Sequence, residues 1–169
     1  MKYNKILIIG IAGSGKTYLA NKISKMLKIK SYDLDKIVFR KKDFTRVKDF
    51  IRDEKVNKIL KDKKWLIEGS YTSDWVISII KKSNLIIFLN INILKAKKRL
   101  LFRFIKRKIL GDEKPESLKD FLTLTGYSNK SVSNRKMNFS KRFSKRYKKE
   151  IIILNNNKEI IKFLKSLTK

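Results

Sequence analysis

Residues 5–28, KILIIGIAGSGKTYLANKISKMLK, decide the fold of this chain. The aliphatic run at the start predicts a buried strand, and the residues after the glycines repeat apolar side chains at helical spacing. The apolar face of that helix comprises Leu19, Ile23, Met26 and Leu27. Between the strand and the helix, residues 10–17 match G-x-x-x-x-G-K-[ST]. Together the three elements predict a P-loop.

The loop has the chemistry of a phosphate-binding site. Its glycines allow backbone N–H groups to turn inward toward an anion, and the dipole of the following helix adds positive charge at the same point. Lys16 would reach the β- and γ-phosphates of a nucleotide, and Thr17 would ligate Mg²⁺. A glycine turn that binds nothing is the alternative, but the flanking strand and helix favour phosphate binding.

Composition limits the remaining chemistry. The 169 residues fit one domain with a sizeable core, and the chain has no cysteine and no histidine. Disulfides, thiol nucleophiles, Cys/His zinc sites and imidazole catalysis are thereby excluded. Any general base must be a carboxylate. No apolar stretch approaches 18 residues and no signal-peptide pattern is present, so we expect a cytoplasmic protein without a membrane partner.

The net charge of +29 is unevenly distributed. Residues 95–149 hold 19 basic and 4 acidic residues, which is about half of the excess. Such a segment permits nucleic acid as a partner. Only 9 of the 44 basic residues are arginine, however, and an excess of lysine is weak evidence for nucleic-acid binding.

Five β-rich apolar runs alternate with helical patterns. They are KILIIG, SYDLD, WLIEGS, NLIIFLN and EIIILN. Since runs such as LIIFL are apolar at every position, we expect parallel strands covered on both faces. Strands alternating with helices predict an α/β three-layer sandwich with right-handed crossovers.

Two segments interrupt this alternation. A helical insert is expected at about 40–62, between the second and third strands. The basic helical pattern 93–110 ends at Gly111, and Pro115, the only proline, follows closely. This Gly/Pro-marked stretch predicts a mobile lid at about 99–120.

Carboxylates follow two of the predicted strands. Asp33 and Asp35 lie in the second predicted strand on one side of it, and either could lie near Mg²⁺ and an acceptor hydroxyl. We favour Asp35, nearest the strand's end, over the alternative that an aspartate there caps the next turn. Glu68 ends the third strand and is either a ligand of Mg²⁺ through water or a surface carboxylate. Gly69 beside it allows close approach of another chain segment or a ligand.

Aromatic and amide residues near these strand ends carry weaker signals. Tyr71 and Trp75 could line an acceptor pocket or belong to the core. After the last strand, Asn157 could cap the final helix, and the same loop could lie against a purine.

Arg99, Arg103 and Arg107 are spaced four residues apart on the basic helix. Each step turns only about 40° around the axis, so the three guanidinium groups share one face. Arginines on a closing lid can stabilise the charge of a transferring phosphoryl group; a solvated helix face is the alternative. Three later arginines have no assigned place: Arg135, Arg142 and Arg146.

In this order, the P-loop, LDK, WLIEGSY, the R-x-x-x-R pair after IIFLN and the closing IIIL strand resemble the topology modulation protein family, small P-loop proteins related to adenylate kinase and shikimate kinase. The resemblance implies a P-loop NTPase sandwich with a five-stranded parallel sheet of order 2-3-1-4-5. It also implies a single domain, 1–169, that binds ATP. The family name implies an effect on DNA topology.

The resulting hypothesis is an ATP- and Mg²⁺-dependent small-molecule kinase, with a nucleotide-regulated nucleic-acid-binding protein as the alternative. Residues expected in catalysis are Lys16, Asp35, Arg99 and Arg103. Expected nucleotide-binding residues are Gly10, Ala12, Gly13, Ser14, Gly15, Lys16, Thr17, Tyr18 and Arg99. Expected metal ligands are Thr17, Asp35 and Glu68. By this resemblance, Glu68 and Gly69 match an Asp-Gly pair of adenylate-kinase-like enzymes, which an aromatic or apolar residue, Pro and then Arg follow. This chain has Ser70, Tyr71 and Thr72 there, so the acceptor is left open.

Overall fold

The protein, analysed as a computed structural model, is described over residues 3–40, 45–110 and 118–167. The strands are β1 (Lys5–Gly10), β2 (Ser31–Asp33), β3 (Trp65–Gly69), β4 (Leu85–Leu89) and β5 (Glu150–Leu154). The helices are α1 (Lys16–Leu27), α2 (Leu34–Val38), α3 (Asp49–Lys61), α4 (Ile77–Lys82), α5 (Ile93–Ile109), α6 (Leu118–Gly126), α7 (Lys130–Arg146) and α8 (Asn157–Ser166). A short 3-10 helix, Asp74–Val76, precedes α4.

The five strands form one parallel sheet in the order β2-β3-β1-β4-β5. This confirms the predicted fold class and strand order. Because β1 is central, the loop that follows it lies at the middle of the carboxyl edge, between the ends of β3 and β4. Gly10 pairs with Leu89 and Ile9 with Gly69, so these three strands end at the same level.

Helices cover both faces of the sheet, and β1, β3, β4 and β5 contribute side chains to both cores. Along β1, Ile6 and Ile8 pack with α1 and α8, whereas Leu7 and Ile9 pack with α2, α3, α4 and α7. Each fully buried aliphatic side chain contributes roughly 1.5–3 kcal/mol to folding. Burial on both faces explains why these strands are apolar at every position.

The prediction of the second strand is wrong at its C-terminal end. β2 stops at Asp33, and Asp35 lies in the first turn of α2 rather than in the strand. The carboxylate of Asp33 accepts a hydrogen bond from the N–H of Asp35 at 2.9 Å, which caps α2. The capping role considered for an aspartate at this strand end therefore falls to Asp33.

Three smaller predictions also differ from the structure. Met26 lies on the exposed side of α1 and not in its apolar face. Within the predicted insert, the helix α3 begins only at Asp49. Asn156, and not Asn157, caps α8, since its side chain accepts from the N–H of Glu159 at 3.0 Å.

The predicted lid region contains the second half of α5 and the start of α6. The rings of Phe104 and Phe121 stack at 4.9 Å and join the two helices. Gly111 and Pro115, on which the lid prediction rested, lie outside the described residues. Over the part of the chain that the structure covers, no helix combines the length and apolar character needed to traverse a bilayer.

We expect Gly69→Ala to destabilise the fold. The close approach at Gly69 comes from the chain itself, because a Cβ there would lie 2.8 Å from Cδ1 and 2.9 Å from Cβ of Leu34. The free energy of unfolding in urea should fall by about 1–3 kcal/mol. Gly126→Ala is the control, since a Cβ at Gly126 meets nothing within 4 Å. Equal stability of the two variants would contradict tight packing of α2 on β3.

Candidate active site

The glycine loop is shaped by close backbone contacts. Gly13 and Gly15 have φ values of 73° and 94°, which only glycine adopts without strain. A Cβ at Gly13 would also lie 2.4 Å from the carbonyl oxygen of Ala96 in α5. The loop therefore packs directly against the backbone of α5. Gly15 is the N-cap of α1 and supplies no side-chain cap, so the first-turn N–H groups have no side-chain partner there.

Lys16 folds back over the loop. Its Nζ donates a hydrogen bond to the carbonyl oxygen of Ile11 at 3.0 Å. Burial lowers the pKa of Lys16, and the positive charge of Arg103 lowers it further. The nearby carboxylates of Glu68, Asp35 and Asp33 act in the opposite direction. Three carboxylates and Arg103 thus surround one ammonium group.

Thr17 and Glu68 form a pair between α1 and β3. The hydroxyl of Thr17 donates to Oε1 of Glu68 at 2.6 Å, and Glu68 is 3% exposed. Burial raises the pKa of Glu68, although the Thr17 hydrogen bond and the charge of Lys16 act in the opposite direction. Glu68 is thus a buried carboxylate at the loop and not the surface residue of the alternative interpretation.

These oxygens fit Mg²⁺ held together with a nucleotide better than Mg²⁺ held by protein alone. Within residues 3–40, 45–110 and 118–167, no group of three or more Asp, Glu, His or Cys residues is arranged to hold a metal. Mg²⁺ commonly keeps waters and substrate phosphates as ligands and takes only one or two protein groups. The hydroxyl of Thr17 with Glu68 beside it matches that requirement.

A series of three contacts, through Tyr71, Trp75 and Arg52, supports the carboxylate of Asp35. Tyr71 donates from its hydroxyl to Oδ1 of Asp35 at 2.7 Å, and its ring packs on Trp75 at 5.3 Å. The guanidinium of Arg52, which is 4% exposed and bonded to Asp49 and Asp53, lies 4.7 Å from the Trp75 ring centre. Burial, and then Asp35 itself, raise the pKa of Tyr71, so its hydroxyl stays protonated as a donor.

The arginines of α5 occupy different positions around the loop. Arg99 donates to the carbonyl oxygen of Ser14 at 3.1 Å and to Oδ1 of Asn157 at 3.3 Å, so it joins the loop to the start of α8. Arg103 lies close enough to Lys16 to lower its pKa. Arg107 is half-buried on the same face of the helix.

The three later arginines, which the sequence could not place, lie on α7. Arg135 is near the middle of that helix, and its charge helps to lower the pKa of the neighbouring Lys136. Arg142 and Arg146 each lie 5.7 Å from an aromatic ring on α7 or directly after it, those of Phe143 and Tyr147.

Tyr18, an expected nucleotide-binding residue, is largely exposed. Its relative exposure is 63%, and Nζ of Lys22 lies 5.7 Å from its ring centre. The ring therefore lies on the solvent side of α1, one turn from the loop.

Sequence reasoning missed Lys136 and two serines. Lys136 reaches from α7 to the end of β3 and donates from Nζ to the carbonyl oxygen of Ser70, whose hydroxyl donates to the carbonyl oxygen of Gly10 at 2.9 Å. Ser128, fully buried, donates to the carbonyl oxygen of Ala12 at 2.9 Å. One lysine among many in a basic helix gives no sequence signal of such a contact.

Lys136 is also electrostatically unusual. Burial and the positive charges of Lys16 and Arg135 lower its pKa to about 8, and Asp35 only partly opposes them. At neutral pH the ammonium group of Lys136 therefore places a positive charge next to Asp35 and Ser70, and a moderate rise in pH removes it.

Three solved structures with a similar fold are kinases. Shikimate kinase from Acinetobacter baumannii, in complex with shikimate, has a TM-score of 0.63 at 15% identity, over 98% of this chain and 90% of that one. Shikimate kinase from Bacteroides thetaiotaomicron has 0.60 at 16%, over 96% and 94%. Deoxyadenosine kinase from M. mycoides with bound dATP has 0.55 at 13%, over 97% and 99%.

At these identities the likeness establishes the fold, which is that of P-loop kinases. No protein-family model matches the sequence, and a comparison with curated proteins finds none similar to it. The resemblance to the topology modulation family therefore stays a prediction.

We predict that Lys136 makes stability depend on pH. Its pKa is about 8 in the folded protein and 10.5 ordinarily, so the unfolded chain binds more protons between these values and stability rises with pH there. Relative to Lys136→Gln, the wild type should gain on the order of 2 kcal/mol between about pH 7 and pH 10, measured by urea unfolding. Lys141→Gln, on the exposed side of α7, is the control. Parallel pH curves for wild type and Lys136→Gln would show that Lys136 is not desolvated.

Proposed function

We propose that the protein is an ATP- and Mg²⁺-dependent kinase that transfers the γ-phosphoryl group to a hydroxyl of a small-molecule acceptor. One observation carries the proposal. A glycine loop with an uncapped helix N-terminus, the Thr17–Glu68 pair and the carboxylate of Asp35 converge around Lys16, with Arg103 close by. This is the set of groups that phosphoryl transfer requires: hydrogen-bond donors to phosphate, a metal-side oxygen pair, a carboxylate and additional positive charge.

Lys16 and the loop would bind the nucleotide phosphates. An uncapped helix N-terminus with three cations, Lys16, Arg99 and Arg103, is a site for a polyanion rather than for a neutral ligand. Lys16 would exchange its bond to the Ile11 carbonyl for phosphate oxygens, which restores a counter-charge to its desolvated ammonium. Mg²⁺, when bound, neutralises phosphate charge, and Thr17 would hold it, with Glu68 and Asp35 acting through water.

Asp35 would accept the proton of the acceptor. The acceptor oxygen forms a bond to the γ-phosphorus, the bond from that phosphorus to the bridging oxygen breaks, and the hydroxyl proton passes to the carboxylate. Tyr71 fixes Oδ1 of Asp35 through a hydrogen bond and leaves Oδ2 for the acceptor. Arg99 and Arg103 would stabilise the charge on the transferring group.

The structural relatives support a small acceptor. They are kinases of shikimate and of deoxyadenosine, two unlike molecules, so they favour the reaction class without naming the substrate of this chain. Membership of the topology modulation family is compatible with this proposal, because an effect on DNA topology is not itself a chemical activity. We keep the single domain, 1–169, with its insert and lid, as part of the same proposal.

The similar solved structures do not support the alternative function, binding of nucleic acid. The basic segment 95–149 contributes Arg99 to the loop contacts and Arg103 to the surroundings of Lys16. If nucleic acid were the partner, its affinity would fall steeply with salt, as counterion release requires.

Transfer from γ-labelled ATP tests the proposal directly. The protein should label one member of a pool of nucleosides, nucleotides, small polyols, hydroxy acids and oligonucleotide ends in the presence of Mg²⁺. Lys16→Ala should label none, because the γ-phosphate loses its main cation, whereas Lys25→Ala, in the last turn of α1, should match the wild type. A folded protein that does not bind ATP·Mg²⁺ would refute the kinase proposal.

Asp35→Asn should separate catalysis from nucleotide binding. The amide keeps the size of the side chain but cannot accept the proton, so turnover should fall by about 10²–10⁴ while the affinity for ATP changes less. Binding by calorimetry and turnover by label transfer measure the two effects. Asp62→Asn, remote from the loop and bonded to Tyr32, is the matched control. Equal turnover of Asp35→Asn and wild type would remove Asp35 from the mechanism.

A further inference from the structure

Helix α5 carries an exposed apolar stripe that the proposed active site does not use. Five of its large side chains are substantially exposed: Leu94 at 70%, Leu101 at 44%, Phe102 at 70%, Ile105 at 44% and Ile109 at 75%. They recur over the full length of the helix at spacings of seven, eight, eleven and fifteen residues from Leu94, which places them on one face. A stripe of this kind on a monomer surface indicates a contact surface.

The stripe faces away from the loop. Successive residues turn about 100° around a helix, so Arg99 and Arg103 lie about 120° and 160° from Ile105. Arg99 contacts the carbonyl of Ser14, so the arginine face is the one turned toward the glycine loop. Movement of α5 toward bound phosphate would leave the stripe exposed, and the stripe therefore needs a separate partner.

Lysines border the stripe on both sides. By the same geometry, Lys97 and Lys108 lie about 60–80° to one side of Ile105, and Lys95 and Lys106 about 80–100° to the other. A fifth lysine, Lys98, lies about 20° from Ile105 and so falls within the stripe. All five are exposed, and α5, which the structure describes throughout, contains no acidic residue. The long aliphatic stems of lysine can follow an apolar surface while the ammonium groups reach anions above it.

We propose that α5 lies in the interface of an anionic lipid bilayer, with the stripe among the acyl chains and the flanking lysines at the phosphate level. Apolar side chains between two rows of lysine, without acidic residues, are the pattern of helices that bind in the interfacial plane. The proposal departs from the prediction of a protein without a membrane partner. That prediction rested on the lack of a long apolar stretch, which a helix in the interfacial plane does not need.

Other occupants match the stripe less well. A second copy would bring a net charge of +29 against the same charge. Protein interfaces are depleted in lysine, whereas here lysines form both borders. Nucleic acid would pair with the lysines but leave five aliphatic and aromatic side chains in water. An anionic bilayer alone satisfies both the charge and the apolar surface.

Vesicle partitioning of matched variants tests the proposal. We expect Phe102→Glu and Ile109→Glu each to reduce the partition coefficient onto phosphatidylcholine vesicles with roughly one third phosphatidylserine by at least about tenfold. Phe50→Glu, 66% exposed on α3, makes the same charge change outside the stripe and should reduce it much less. Circular dichroism and thermal unfolding of each variant check that it is folded.

Equal reductions in all three variants would overturn the proposal, because they would show only the attraction of a cationic protein to anionic lipid. A second measurement uses Phe102→Trp; the emission that it adds to that of Trp65 and Trp75 in the wild type should shift to shorter wavelength and be quenched by brominated acyl chains. Unquenched emission would place the side chain in water and also overturn it. So would concentration-dependent dimerisation that Phe102→Glu abolishes, since the stripe would then be a protein interface. None of these measurements depends on kinase activity.

Discussion

The contact between Gly13 and the carbonyl of Ala96 is the constraint on which the rest of the site depends. Since no Cβ fits between them, the glycine loop and α5 touch through their backbones. The next turns of α5 then start from a fixed point, which places Arg99 on the carbonyl of Ser14 and brings Arg103 into the surroundings of Lys16. A backbone contact thereby determines where two side chains lie.

Patterns that depend on neighbours in the chain were predictable. The motif at residues 10–17 and the apolar strands were sufficient for a parallel α/β sandwich, because burial on both faces leaves little alternative. The strand order came from the family resemblance and not from these patterns. The end of β2 was not predictable by the same means. An aspartate can extend a strand or cap a helix, and only the hydrogen bond from Asp35 to Asp33 decides between them.

The candidate site divides along the same line. Lys16, Thr17, Glu68 and Asp35 could be proposed from the sequence because each lies in or directly after a recognisable strand or loop. Lys136 could not, since its contact with Ser70 joins residues 66 positions apart and depends on how α7 crosses the sheet. The chain Arg52, Trp75, Tyr71 and Asp35 was equally inaccessible, because the rings and the guanidinium meet only after α3 packs beside the 3-10 helix.

The hydroxyl of Ser128 gives the fold a property beyond local stability. It donates to the carbonyl of Ala12, while Gly13, the next residue, lies directly against the carbonyl of Ala96. Two points of the chain that are 32 residues apart are thus fastened to adjacent residues of one loop. The chain that contains α5 and α6 is therefore anchored to the glycine loop at two points, Ala96 near the start of α5 and Ser128 just after α6. Any displacement of these two helices relative to the sheet would have to disturb the contacts at Ala12 and Gly13.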